Sequence, residues 1–200
     1  MPEMPMFPLG SVLFPHMPLP LRVFEPRYLA LLADILGDEP AEFGVPLIER
    51  GSEVGGGDVR AGIGVVARVT QLDSAGEAVL MIAQGDRRIR IESWLDDAPY
   101  PRAVVEDLPE PAWKDELAPL LEHADRVVRR VLRLADQAGE ELRWPADVGL
   151  DADPAAAAWQ LAAIAPLGPL DQLDLLRSET VGRLLARTIE LTEDAEVLFT

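Results

Sequence analysis

Apolar and polar positions change their rhythm about midway along the chain. Up to residue 112, short runs of Val, Ile, Leu and Phe alternate with Gly and Pro; beyond it, Leu, Ala and Arg recur at helical spacing. Six of the 18 prolines fall within the first 20 residues. Proline gives no N–H to a sheet ladder, so Met4 to Leu9 and Leu19 to Phe24 are predicted as extended segments or edge strands. Pro26 suits a first helical turn, and Leu29, Leu32, Ala33 and Leu36 share one side until Gly37, which predicts a short helix. Phe43 to Ile48 predicts a strand, and Arg50 to Arg60, with Gly55-Gly56-Gly57, a mobile loop. Ala61 to Leu72, Ala78 to Gln84 and Arg87 to Leu95 predict a meander whose first turn crosses Asp73-Ser74-Ala75-Gly76. In its third strand Arg88, Arg90 and Glu92 alternate with Ile89, Ile91 and Ser93, which puts the arginines on a wet face. Tyr100 to Leu108 adds a strand, and Pro109-Glu110-Pro111 forms a stiff joint.

Past the joint, apolar positions 117, 120, 121, 124, 128, 131, 132 and 135 form one helical stripe that Gly139 closes. Asp153 caps a second helix, which Pro166 ends, and Leu170 to Leu176 gives a third. Ser178 caps a fourth, with Val181, Leu184, Leu185, Thr188 and Ile189 inward. The fold class is therefore α+β. A β-rich domain with one short helix spans 1–111, and a four-helix bundle-like domain spans 112–200. Phe14 and Phe24 are expected in the core, with Trp113, Trp144 and Trp159 as packing anchors of the bundle.

Composition narrows the chemistry. Among 200 residues there is no cysteine, which removes thiol nucleophiles, thiolate ligands and disulfides and fits a cytoplasmic protein. A net charge of −17 repels phosphate backbones and anionic lipids, so neither nucleic acid nor membrane is an expected partner. The N-terminus lacks the basic region of a signal peptide. Lys114 is the single lysine, and Asp115 and Glu116 follow it, so it serves neither a P-loop nor a Ser-Lys hydrolase. Ser52 has no nucleophile-elbow spacing, and His16 and His123 lie too far apart to seed a metal cluster. No catalytic residue, metal or cofactor is expected. Arg87, Arg88 and Arg90 form the densest basic patch, diluted by Glu92, Asp96 and Asp97.

Two motifs carry a resemblance: Phe7-Pro8-Leu9-Gly10-Ser11-Val12-Leu13-Phe14-Pro15, then Leu19-Pro20-Leu21-Arg22-Val23-Phe24-Glu25-Pro26-Arg27-Tyr28. They resemble the opening of the N-terminal substrate-binding domain of Lon proteases. Phe43-Gly44-Val45, the strand from Gly62 to Val69, Gly85 to Ile91 and Pro99-Tyr100 continue it, and Ala158-Trp159-Gln160-Leu161 resembles the family's bundle segment. His16 departs from the pattern, standing where a turn glycine is expected. The resemblance implies a PUA-like β pseudobarrel followed by helices, and a stand-alone, non-enzymatic protein that binds exposed or unfolded polypeptide segments. It would act alone or as an adaptor to a protease or chaperone. A PUA-like nucleic-acid or small-molecule module is the alternative.

The expected binding surface lies on the β-rich half, near Pro15, His16, Met17 and Tyr100. Loops run over surfaces, Met adapts to varied partners, and Tyr offers aromatic contact area. Glu25, Arg27 and Tyr28, inside the second motif, join these candidates, with a helix-start ion pair as the competing role for Glu25 and Arg27.

Overall fold

The computed structural model describes residues 2–37, 39–50 and 59–199, and its contacts divide the chain into two units, Met1–Glu110 and Pro111–Thr200. The first unit holds strands β1 (Glu3–Pro5), β2 (Pro18–Val23), β3 (Glu42–Arg50), β4 (Val59–Ala75), β5 (Ala78–Trp94) and β6 (Arg102–Asp107), and one helix, α1 (Pro26–Ile35). Its sheet runs β1-β6-β5-β4-β3, with β2 also paired to β5. All these strand pairings are antiparallel. The predicted Gly55-Gly56-Gly57 loop lies outside the described residues.

Two predicted strands, Ala78 to Gln84 and Arg87 to Leu95, are halves of one 17-residue strand, β5. Gly85 is the reason they read as two. It is a pivot rather than a break: β5 pairs with β2 before it, from Val79 to Gln84, and with β6 beyond it, from Ile89 to Trp94. The strand therefore serves two neighbours on one edge in succession. Register shifts in the β4–β5 ladder between Val65 and Ala67 and between Val69 and Gln71 add the twist that such a long ribbon needs.

One face of this sheet packs Met4, Met6, Val66, Ile89, Ala103 and Val105 together, with Ile91 and Trp94 against them. Phe14 and Phe43 are fully buried, and Phe7 stacks on Tyr28 with ring centroids 3.8 Å apart. Phe24 corrects the sequence reading: it is 60% exposed. Arg88 corrects it in the other direction, since alternation puts it on the wet face and the structure leaves it 6% exposed. Its guanidinium donates to the carbonyl oxygen of Pro109 at 3.0 Å, a backbone acceptor that no strand pairing supplies.

The second unit contains α2 (Ala118–Gln137), α3 (Pro154–Ile164), α4 (Pro169–Leu176) and α5 (Val181–Glu196), with 3₁₀ turns at Asp115–Leu117 and Val197–Phe199. Its core is Leu132, Trp159, Leu161, Leu173, Leu175 and Leu176, all fully buried. Trp113 and Trp144 are only half-buried. Asp153 caps α3 by accepting from the amide of Ala156 at 3.3 Å, as its position predicts. The cap of α5 is Thr180, accepting from the amide of Arg183 at 3.1 Å, while Ser178 is buried two residues earlier. Among the described residues no helix is long and apolar enough to cross a membrane.

Candidate functional site

The residues expected to bind are mostly committed to packing. Phe14-Pro15-His16-Met17 forms a turn closed by the Met17 amide donating to the Phe14 carbonyl at 3.3 Å. Pro15 at its second position and a positive φ of 63° at His16 are what a type II turn requires. The turn lies against Gly85: the His16 amide donates to the Gly85 carbonyl at 2.8 Å, and the Gly85 amide to the Met17 carbonyl at 2.9 Å. Pro15 and Met17 are buried by this arrangement. The His16 ring, 35% exposed, sits 3.8 Å from the Glu110 carboxylate.

Tyr100 is buried too. Its hydroxyl donates to Asp34 on α1 at 2.7 Å, and burial, reinforced by Asp34, pushes its pKa up to about 12. Tyr28 is 3% exposed, under the guanidinium of Arg27 at 4.5 Å. Arg27 bridges Glu25 at 3.2 Å, both half-buried, which supports the helix-start role rather than a ligand role for this pair. Met17, Tyr28 and Tyr100 thus do not offer the exposed contact area expected of them, because the turn is packed onto β5, Tyr28 on Phe7, and the β5–β6 connection onto α1.

The basic patch is neutralised in place. Arg87 bonds Glu42 at 2.9 Å, Asp86 at 3.0 Å and Asp107 at 3.1 Å, and Arg90 bonds Glu106 at 2.7 Å. Glu42, the closest carboxylate, is the main reason the Arg87 guanidinium is held above its ordinary range. Such arginines present little unpaired positive charge to a phosphate backbone. Among the described residues no group of three or more His, Asp or Glu side chains could hold a metal ion.

What the structure exposes instead is the outer face of the β2–β5–β4 ribbon. Register places Pro20 opposite Ile82 and Arg22 opposite Leu80, and Ile82 and Leu80 opposite Gln71 and Asp73 on β4. Directly paired residues share a face, so these six side chains form two rows across three strands. Leu80 is 44% and Ile82 39% exposed, whereas the alternating Met81 and Ala83 are buried. Phe24, one residue past the end of β2, is 60% exposed and lines a cavity of about 470 Å³ with Arg22, Glu77 and Ala78. The alternation from Ala78 to Gln84 predicts two faces for this strand. It does not predict which, because both faces carry apolar residues.

These features can be set beside known proteins. The family model described as the ATP-dependent protease La (LON) substrate-binding domain matches residues 3–194. Lon protease 2 of Sorangium cellulosum is 35% identical over 137 residues, which are 66% of this chain and 17% of that protein. The Lon protease of Desulfosudis oleivorans is 28% identical over 202 residues, 96% of this chain and 25% of that protein. The chain thus spans about a quarter or less of these curated relatives. The crystal structure of a Lon N-terminal domain protein from Xanthomonas campestris superposes with a TM-score of 0.68 at 26% identity, covering 95% of this chain and 98% of that one. The N-terminal domain of the Mycobacterium avium complex Lon protease has the same fold, with a TM-score of 0.65 at 20% identity, covering 96% and 99%. Sequence match and fold agree over nearly the whole length: the chain belongs to the family of Lon substrate-binding domains.

Proposed function

We propose that the chain is a non-catalytic, cytoplasmic polypeptide-binding module. It takes exposed or unfolded apolar segments on the outer face of the β2–β5–β4 ribbon, as a recognition domain or an adaptor to a protease or chaperone. The observation that carries this reading is the pair of exposed apolar side chains Leu80 and Ile82 on β5, with Pro20 opposite Ile82 on β2 and the exposed Phe24 just past the end of β2. Scattered exposed apolar residues need no explanation, but a contiguous group on a sheet face is what an apolar ligand covers. The group starts where the Pro15-His16-Met17 turn delivers the chain into β2, so the expected turn acts as a support rather than as the contact itself. The non-catalytic part of the reading rests on the matched family region and on the isolated Lys114.

Affinity should be modest. An open sheet face orders a flexible segment and loses part of its gross interaction energy to chain entropy, which sets a micromolar scale, about −8 kcal/mol. The net charge of −17 favours basic apolar segments over acidic ones, a preference that weakens with salt. The test is titration of labelled unfolded peptides into the wild type and into Phe24→Ser/Leu80→Ser. Both positions are exposed, so circular dichroism should be unchanged while affinity falls at least about tenfold, roughly 1.4 kcal/mol. Equal affinities would move the site off this face, and no binding of any unfolded segment by the wild type would overturn the function.

A further inference from the structure

We infer that the groove between α2 and α3 is a second peptide-docking site, one that seats a medium-sized apolar side chain flanked by a lysine or arginine. The inference rests on the polypeptide-binding reading of the chain but not on its sheet face, since the groove lies wholly within the helical unit. Its floor is Ala157 and Leu161 of α3, 6% and 0% exposed, and its walls are the half-buried Leu121 of α2 and Leu150 of the preceding loop. The small Ala157 leaves the space that a larger side chain would fill.

The groove is preformed. The Asp151 amide donates to Gln160 Oε1 at 2.7 Å, the Asp153 amide to Asp151 Oδ1 at 2.9 Å, and Asp153 caps α3, so the loop wall is fixed to the helix that forms the floor. Preorganised walls lower the ordering cost of a bound segment. The cavity measures about 380 Å³, near the lower end of ligand pockets at roughly 300–1,000 Å³, which suits one or two side chains.

Charge selects the occupant. Polar groups are confined to the rim, so the floor offers nothing to orient a small polar ligand. The rim carries Glu122, Asp125 and Asp151 against Arg126. Asp125 is engaged by Arg129 at 2.7 Å, and the Arg129 guanidinium is further held by the Ala146 carbonyl at 2.7 Å. Among the described residues the side chains of Glu122 and Arg126 have no ion-pair or hydrogen-bond partner. An excess of carboxylate around an apolar floor complements an apolar side chain with a cationic neighbour, and it repels the acidic counterpart.

The test uses the full chain and two probes, a short model peptide with one leucine between lysines and its twin with glutamates. Both are titrated by amide NMR and fluorescence anisotropy into Phe24→Ser/Leu80→Ser, in which the sheet face is disabled. The lysine peptide should still bind and shift amides between Leu121 and Arg126 and between Ala157 and Leu161; the glutamate peptide should bind at least about tenfold more weakly. Adding Ala157→Met should abolish the residual binding. Adding Glu122→Lys, at an exposed position that folding does not use, should weaken it at least about threefold. Residual binding unchanged by Glu122→Lys, shifts confined to β2 and β5, or a groove covered by a second copy of the chain in ultracentrifugation would overturn the inference. Loss of all lysine-peptide binding in the Phe24→Ser/Leu80→Ser variant, with the wild type binding, would overturn it while leaving the sheet-face reading in place. A wild type that binds neither probe nor any unfolded segment would overturn both.

Discussion

A Cβ atom on residue 85 would collide with the carbonyl oxygen of Phe14. The obstacle is backbone, and that backbone is fixed, because Gly85 exchanges hydrogen bonds with His16 and Met17 on the same turn. Glycine at 85 is therefore a requirement of close approach rather than of φ.

Replacing Gly85 by alanine should force the turn off β5. Overpacking of this kind costs about 2–3 kcal/mol, enough to lower the melting temperature by about 5–10 °C in a chain of this size. His16 makes the companion case. With φ at 63°, it occupies a position that any Cβ disfavours, so His16→Gly should be tolerated within about 1 kcal/mol while His16→Val costs about 1–2 kcal/mol more than glycine. Thermal melts of the three variants check both statements, and a Gly85→Ala protein as stable as the wild type would show that the turn moves freely.

This junction also marks how far the sequence could be read. The α+β class, the single helix after Glu25, the Asp153 cap and the burial of Phe14 follow from spacing and turn chemistry, which are local. Reading Gly85 as a gap between two strands failed because its meaning is set by Phe14, some seventy positions away. Phe24 and Arg88 failed for the same reason. Large apolar residues are usually buried and alternating arginines usually exposed, but Phe24 comes just past the end of an edge strand and stays 60% exposed, and Arg88 meets the carbonyl of Pro109. Met17 and Tyr100 sit in segments that look like loops, yet these are sealed by bonds to Gly85 and Asp34. Two caps compete near α5, and Thr180 takes the role from Ser178 by one geometric condition, an oxygen within reach of the amide of Arg183.

Tyr100 should report its environment through pH. Its phenol is raised from 10.0 to about 12 by burial first and by Asp34 second. A folded pKa above the unfolded one means that the neutral phenol is the form the fold stabilises. That contribution is complete below pH 10 and lost as pH rises towards about 12. The chain has two tyrosines, so absorbance titration of Tyr28→Phe follows Tyr100 alone. A midpoint near 12 that drops towards 10 on unfolding is expected, and Tyr100→Phe should cost about 0.5–1.5 kcal/mol at neutral pH through the lost bond to Asp34. A midpoint near 10 in the folded protein would mean that the phenol is wet and the bond absent.

Arg88 and Arg90 stand two residues apart on β5 and should behave as different kinds of residue. Arg90 is exposed and meets an exposed Glu106, an arrangement that contributes at most about 1 kcal/mol and fades with salt. Arg88 is buried, and its guanidinium is the donor for the Pro109 carbonyl at the end of the β-rich unit. Methionine at either position keeps most of the aliphatic stem and removes the charge. Arg90→Met should therefore change stability by less than about 1 kcal/mol. Arg88→Met should cost about 1.5–3 kcal/mol, because a bond with a charged donor is lost and a backbone acceptor is left without its partner. The Leu108 amide, which donates to the Arg88 carbonyl at 2.9 Å, should exchange faster in Arg88→Met and at the wild-type rate in Arg90→Met. Urea denaturation with amide exchange separates the two variants; equal losses in both, with Leu108 unaffected, would reduce Arg88 to another surface arginine and leave the Pro109-Glu110-Pro111 segment unanchored.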